Sequence, residues 1–365
     1  VRNSFLPPKH LTEITESAAI SPVDTLVVSK DTTPDSAHHG LVPIDIVLKQ
    51  AKQTVRLGDV EAGLDLVRTR LRCAEDRMFF VGDPIVDVAF VAAGREADLL
   101  ESYSLAWDAG IWPKPDMRAY CEYKSECGIP PIFICTLPKS GSLYISEMIR
   151  SSLVLQDVRI SLDLYPRDYL IPEMVSFLAA GGVSSWEHTD PSDRNLEILK
   201  SAGLTRFVLH LRDPRQTAVS FIHHIDRNLT GENLFYRWRF NPRIPEWYNR
   251  APFGRKVDWY LETRFTADIE WIRRWLAVAR SEEFEILVTH FEDLRGNEAK
   301  YLEHIVKFFR IPDLPRKFDV PDPTMSAHFR SGALEEWRSV CSPAQQENMW
   351  QTIGDVLGAE MGWKR

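Results

Sequence analysis

Ile132-Phe133-Ile134-Cys135-Thr136-Leu137-Pro138-Lys139-Ser140-Gly141-Ser142-Leu143-Tyr144 is the stretch of this 365-residue chain that decides its fold. The first four residues are a short unbroken apolar run with Pro130-Pro131 upstream, the pattern of a buried strand. A polar, small-residue loop follows at 138–142, and the apolar spacing over 143–153 predicts a helix. A strand that passes through such a loop into a helix N-terminus is an anion cradle. Backbone N–H groups can approach closely there, and the helix dipole favours negative charge. Lys139 adds a full positive charge, and Ser140 and Ser142 add hydroxyl donors. It is not a Walker A loop, because GxxxxGK[ST] is absent and Lys139 precedes Gly141.

Further along, Arg206–Leu211 reads as a second buried strand, which runs into Arg212-Asp213-Pro214-Arg215 and a helix. A third strand is expected at 284–288. It ends in His290-Phe291-Glu292-Asp293-Leu294 and is followed by a helix over 300–309. Strands alternating with helices imply an α/β fold, a central parallel sheet covered on both faces by helices. Arg212 falls at the carboxyl end of a strand, where ligands bind in open α/β sheets. Ser220 lies about two turns into the next helix, so both side chains can reach one phosphate. His328-Phe329-Arg330-Ser331-Gly332, with Trp337 beyond, is a polar loop able to close over a nucleotide.

Composition narrows the function. Lys plus Arg number 44 against 52 Asp plus Glu, a net charge of −8, which argues against nucleic acid or an anionic membrane as partner. No apolar run approaches the roughly 18 residues of a spanning helix, and the N-terminal residues lack a signal-peptide core; a cytoplasmic location is expected. The cysteines (73, 121, 127, 135 and 341) are odd in number and show no CxxC spacing, so neither a disulfide framework nor a zinc site is expected. Asn228-Leu229-Thr230 fits the glycosylation triplet, a pattern that arises readily by chance.

Three segments are expected: an extended or poorly ordered arm at 1–42, a helical region at 43–125, and the α/β domain at 126–365. In the helical region Val47, Leu48, Ala51 and Val55 recur at helical spacing. Gly58-Asp59 interrupts, and Ala62, Leu66, Val67 and Leu71 resume the pattern. The hairpin resembles one tetratricopeptide-like unit, although such repeats need several copies to share a core. A plain helical pair packed on the main domain is the expectation, with dimerisation or partner docking as its candidate roles.

Taken together, the motifs resemble the sulfotransferase family that uses 3′-phosphoadenosine 5′-phosphosulfate (PAPS), in its cytosolic branch. Leu137 to Tyr144 resembles the YPKSGTTW loop that binds the 5′-phosphosulfate. Arg212 to Ser220 resembles the RNPxDxxVS segment that binds the 3′-phosphate. Phe329 to Gly332 with Trp337 resembles the RKGxxGDW loop, and His290 to Leu294 resembles the YEDL element beside the adenine. The order matches over about residues 128–350. The resemblance implies a P-loop-like fold with a five-stranded parallel sheet, PAPS as donor, adenosine 3′,5′-bisphosphate (PAP) as product, and no metal. It implies donor contacts at Lys139, Ser140, Gly141, Ser142, Leu143, Tyr144, Arg212, Ser220, Phe291, Arg330, Ser331 and Gly332. Tyr144 stands for a Trp that stacks on adenine, and Phe291 for a Tyr.

For the catalytic base the resemblance points to His188, in Trp186-Glu187-His188-Thr189-Asp190-Pro191, with Glu187 as the alternative. The family has a Lys where this chain has Trp186. His210, inside a strand, and His223 and His224, on the following helix, read as packed or solvated. Residues 235–275 hold twelve aromatics interleaved with arginines. The family places this region over the acceptor pocket, and ring faces with Arg suit a small molecule or a glycan. For residues 259–275 core packing is the expectation. Two rival readings stand beside sulfuryl transfer: a P-loop-type kinase, and a catalytically silent nucleotide-binding scaffold.

Overall fold

The alternation inside the first strand sets the architecture. Strand β1 (Ile132–Thr136) is buried along its whole length. Ile132 and Ile134 enter one apolar layer, and Phe133 and Cys135 enter the other. This period-two division belongs to a parallel strand covered on both faces.

The computed structural model describes residues 44–56, 59–91, 93–162, 169–229, 244–312, 318 and 330–365. Residues 42–365 form one compact unit. The arm expected at 1–42, Gly58, Thr230 of the triplet, residues 235–243 and His328-Phe329 lie outside the described residues.

Before the sheet come α1 (Ile44–Arg56), α2 (Val60–Arg70), α3 (Ala74–Arg77), α4 (Pro84–Val91), α5 (Glu96–Asp108) and α6 (Pro115–Glu126). In α1 the positions expected to be buried are so. In α2 the buried positions are Val60, Gly63, Leu64 and Val67, while Ala62 is exposed and Leu66 half-buried. The expected face is therefore rotated, because α1 crosses α2 at Gly63. A Cβ there would lie 2.5 Å from a Val55 methyl and 2.9 Å from the Ala51 carbonyl oxygen.

Beyond β1 run α7 (Ser142–Leu153), β2 (Gln156–Asp157), β3 (Ser161–Leu162), β4 (Tyr169–Leu170), α8 (Pro172–Ala179), β5 (Val183–Glu187), α9 (Asp193–Ser201), β6 (Arg206–Leu211) and α10 (Pro214–Leu229). Then come α11 (Phe253–Tyr260), α12 (Thr266–Arg280), β7 (Glu285–His290), α13 (Phe291–Gly296), α14 (Glu298–Phe308) and short C-terminal helices. The main sheet has five strands in the order β2-β5-β1-β6-β7, all parallel. β3 and β4 form a separate antiparallel pair. Helices α7, α13 and α14 cover one face with Ile134 and Val208. On the other face, α8, α10 and α12 share a continuous core with α1, α2, α4 and α5. The chain builds outward from β1 through β2 and β5, then crosses to β6 and β7. The switch point thus lies at the carboxyl ends of β1 and β6, where such folds bind ligands.

The expected strands are present, and β7 continues to His290. β5 was not foreseen, because Ser184 and Ser185 interrupt its apolar character; inside the sheet their hydroxyls bond to Gln156 O (3.1 Å) and Glu187 Oε1 (3.3 Å). In the aromatic run Trp259, Tyr260, Phe265, Trp271 and Trp275 are buried, so core packing holds for residues 259–275, and the helix starts at Phe253. Trp271 and Trp275 both donate their indole N–H to the Thr189 carbonyl, at 2.9 Å each. Arg274 donates to Asp190 Oδ1 at 2.8 Å and to Pro191 O at 2.7 Å. Among the described residues no helix is long and apolar enough to cross a membrane.

Gly182, just before β5, has φ +72°, and a Cβ there would sit 1.9 Å from the Cys121 carbonyl oxygen. α6 meets the sheet at this point, and no side chain fits. Gly182→Ala is expected to cost about 2–5 kcal/mol through left-handed strain and overpacking. The measurement is the denaturation midpoint in urea, with the slope unchanged.

Candidate active site

The loop after β1 turns through two left-handed residues, Lys139 at φ +70° and Gly141 at φ +96°. Gly141 is needed twice over, since a Cβ there would meet the Phe291 ring at 3.0 Å. Lys139 is not a glycine and pays a strain cost of about 1–3 kcal/mol. Arg212 holds it in place, with Nη1 donating to the Lys139 carbonyl at 2.7 Å. Ser140 is fully buried, and its Oγ has no partner among the described residues. α7 starts at Ser142, so its first N–H groups lie beyond the reach of helical acceptors. Gly141, Ser142 and Leu143 line a cleft at this point.

Arg212, at the end of β6, ties three segments together. Besides Lys139 O it reaches Ala333 O at 2.6 Å through Nη2, and its guanidinium lies 4.0 Å from the centre of the Phe291 ring. Burial lowers its pKa to about 10, which leaves it charged at neutral pH. The next turn is locked by a buried pair in which Arg215 Nη2 donates to Asp213 Oδ2 at 2.7 Å. Arg215 also stacks on Trp337 at 3.9 Å, so the 330–337 loop is docked onto α10. Arg330 makes a two-pronged pair with Glu336, Nη1 to Oε1 at 2.8 Å, and Gln216 Nε2 donates to Glu336 Oε2 at 3.2 Å. The Nε atoms of Arg212 and Arg330 are buried without a partner among the described residues.

The cleft between these elements is about 890 Å³. Eleven of the residues expected at the site line it: Lys139, Gly141, Ser142, Leu143, Tyr144, Arg212, Ser220, Phe291, Arg330, Ser331 and Gly332. Ser140 lies beneath the loop rather than on the wall. His224, Arg227 and Arg295 line the cleft as well. Five cations therefore face it, with no carboxylate among the lining residues, in a protein of net charge −8. Burial, then Arg227, Arg212 and Arg330, push the Lys139 pKa down to about 8.

His188 and Glu187 are not on the cleft wall. His188 Nδ1 lies 2.6 Å from the Thr136 carbonyl at the end of β1, three residues before Lys139. A carbonyl only accepts, so Nδ1 carries the proton and Nε2 keeps the lone pair. Burial pushes the imidazole pKa down to about 3. Glu187 is fully buried. Its oxygens accept from Arg159 Nε (3.1 Å) and Nη2 (2.6 Å), Ile160 N (2.8 Å) and Ser161 Oγ (2.6 Å). Arg159 in turn lies 4.5 Å over the Trp186 ring, whose edge meets His188 at 5.5 Å.

The sulfotransferase domain family model matches residues 130–359. The chain belongs to the sulfotransferase domain family. No curated protein matches this sulfotransferase. Among solved structures, the crystal structure of mouse sulfotransferase SULT7A1 complexed with PAP is similar at 14% identity. That match covers 68% of this chain and 96% of the mouse chain, with a TM-score of 0.43. The matched family region begins just before β1, so α1–α6 lie outside it.

Three wall residues of this sulfotransferase, His224, Arg227 and Arg295, escaped the sequence reading. His224 and Arg227 stand at i+4 and i+7 from the expected Ser220 on α10, one face of a helix. That spacing was the available signal, and it is lost when each histidine is weighed alone. Arg295 is four residues after Phe291, on the same face of α13. The residues present suit a polyanionic nucleotide: cations line the cleft, Gly141 leaves room in the loop, and the buried Ser140 Oγ, Arg212 Nε and Arg330 Nε have no partner among the described residues.

Proposed function

We propose that this sulfotransferase moves the sulfuryl group of PAPS to a hydroxyl or amine of a small-molecule or glycan acceptor by in-line displacement, releasing PAP. The observation that carries the reading is the gathering of Lys139, Arg212, Ser220 and Arg330 around one cleft with no carboxylate among its described lining residues. When bound, the donor supplies an electrophilic sulfuryl group at one end and a doubly charged 3′-phosphate at the other. Arg212, Ser220 and Arg330 hold the 3′-phosphate, for which guanidinium forks are well shaped. The amides of Gly141 and Ser142 hold the 5′ side. Lys139 meets the charge that grows on the leaving oxygen, a contribution of roughly 3–4 kcal/mol for a preorganised group. His188 takes the acceptor proton at Nε2 as the new S–O bond forms. Glu187, with its oxygens engaged by five donors, serves the geometry of that segment instead.

Calorimetric titration with PAP, AMP and ATP tests the reading. PAP is expected to bind at least about 100-fold more tightly than AMP, the scale of losing a charge-assisted phosphate contact of about 3 kcal/mol. The preference should shrink in Arg212→Ala and Arg330→Ala. Equal affinity for PAP and AMP would sink the assignment, and a preference for ATP would favour a kinase. PAP binding without turnover on any acceptor tried would favour the silent scaffold.

A further inference from the structure

Two successive carbonyls of the loop after β1 are gripped by side chains from the end of β6. Arg212, just past the strand, holds Lys139 O at 2.7 Å, and His210 Nε2 lies 2.9 Å from Ser140 O. His210 and Arg212 are two residues apart, the spacing that puts extended-chain side chains on one face. The Ser140 carbonyl can only accept, so Nε2 carries the proton and Nδ1 is the acceptor. Nδ1 has two hydroxyl neighbours, Tyr301 OH from α14 at 2.7 Å and Thr289 Oγ1 from β7 at 2.9 Å. The two hydroxyls are themselves 3.0 Å apart. All three side chains are buried, and burial holds the imidazole neutral, with its pKa pushed down to about 3. A hydroxyl donating to Nδ1 selects the tautomer that donates to the loop.

The consequence follows from the planarity of the peptide unit. In a trans peptide the C=O of one residue and the N–H of the next point in opposite directions. Drawing Ser140 C=O onto His210 turns Gly141 N–H away from β6, and Gly141 lines the cleft. Ser140 lies between two left-handed residues, Lys139 and Gly141, and the glycine on the far side of this peptide restricts its orientation less than a residue with a Cβ would. We infer that His210, set by Tyr301 and Thr289, is a positioning residue that aims the Ser140–Gly141 peptide at the 5′-phosphate of the nucleotide. The inference rests on the PAP-binding reading above.

The test compares PAP with adenosine 3′-monophosphate, which lacks only the 5′-phosphate. Their Kd ratio isolates the loop contact. In His210→Phe the PAP Kd is expected to rise at least about 10-fold, while the 3′-monophosphate Kd moves less than about 3-fold, so the ratio collapses. His210→Gln places an amide N–H near the position of Nε2 and should keep the ratio within about 3-fold of wild type. Equal weakening of both ligands in His210→Phe, or an unchanged ratio, overturns the inference and leaves His210 as packing alone. Should His210→Phe fail to fold, the double variant Tyr301→Phe/Thr289→Val, which removes both hydroxyls from Nδ1, decides. A ratio reduced about 3-fold or more supports the tautomer argument, and an unchanged ratio refutes it. Failure of the sulfotransferase reading shows separately, as wild-type protein that does not distinguish PAP from AMP.

Discussion

Replacing His188 with Ala is expected to slow sulfuryl transfer by about 10²–10⁴-fold, the range for losing a positioned general base, with the PAP Kd nearly unchanged. The direction rests on the tautomer. Nδ1–H donates to Thr136 O at 2.6 Å, which leaves Nε2 as the basic atom. The pH dependence is distinctive. Burial lowers the pKa to about 3, so the imidazole is already in its proton-accepting form at any pH above about 5. The ratio of wild-type to His188→Ala rates should therefore be flat from about pH 5 to 8, instead of climbing through the ordinary histidine value near 6.5. Single-turnover rates across that range check both claims. A variant that keeps most of the wild-type rate would move the base elsewhere.

Lys139→Ala is expected to lower kcat by about 10²–10³-fold, since it removes charge stabilisation of the leaving oxygen. Its effect on binding should depend on pH. In the free protein the ammonium is destabilised by burial and by Arg227, Arg212 and Arg330, with a pKa of about 8. A polyanion raises that pKa by favouring the charged form. Binding at pH 8 should therefore take up a proton, up to about half an equivalent, and affinity should fall as pH rises through 8. Calorimetry in buffers of different ionisation enthalpy measures the uptake. Lys139→Ala should abolish that part of it, and uptake that persists unchanged would assign it to another group.

The centre of the fold was legible because β1 and β6 are unbroken apolar runs and each hands its chain to a polar turn. β5 was hidden by Ser184 and Ser185, whose hydroxyls find partners only once the sheet exists. Most of the cleft-lining residues were legible because each motif is local in sequence. Partners of Glu187 were not: Arg159 and Ser161 lie 28 and 26 residues away, and they engage its carboxylate. His210 read as a packed histidine, and it is packed. Its link to Ser140 spans 70 residues, a distance no local pattern bridges. The α1–α2 face was misjudged for a simpler reason. Close approach at Gly63 placed the smallest residue, not the most apolar ones, at the contact.

The Thr189 carbonyl, shared by the indoles of Trp271 and Trp275, separates two heritable parts of this enzyme. The segment from His188 to Pro191 hangs from α12 through those indoles and Arg274, whereas the phosphate loop hangs from β6 through His210 and Arg212. Substitutions on α12 are therefore expected to move the segment around His188 while leaving the loop after β1 in place.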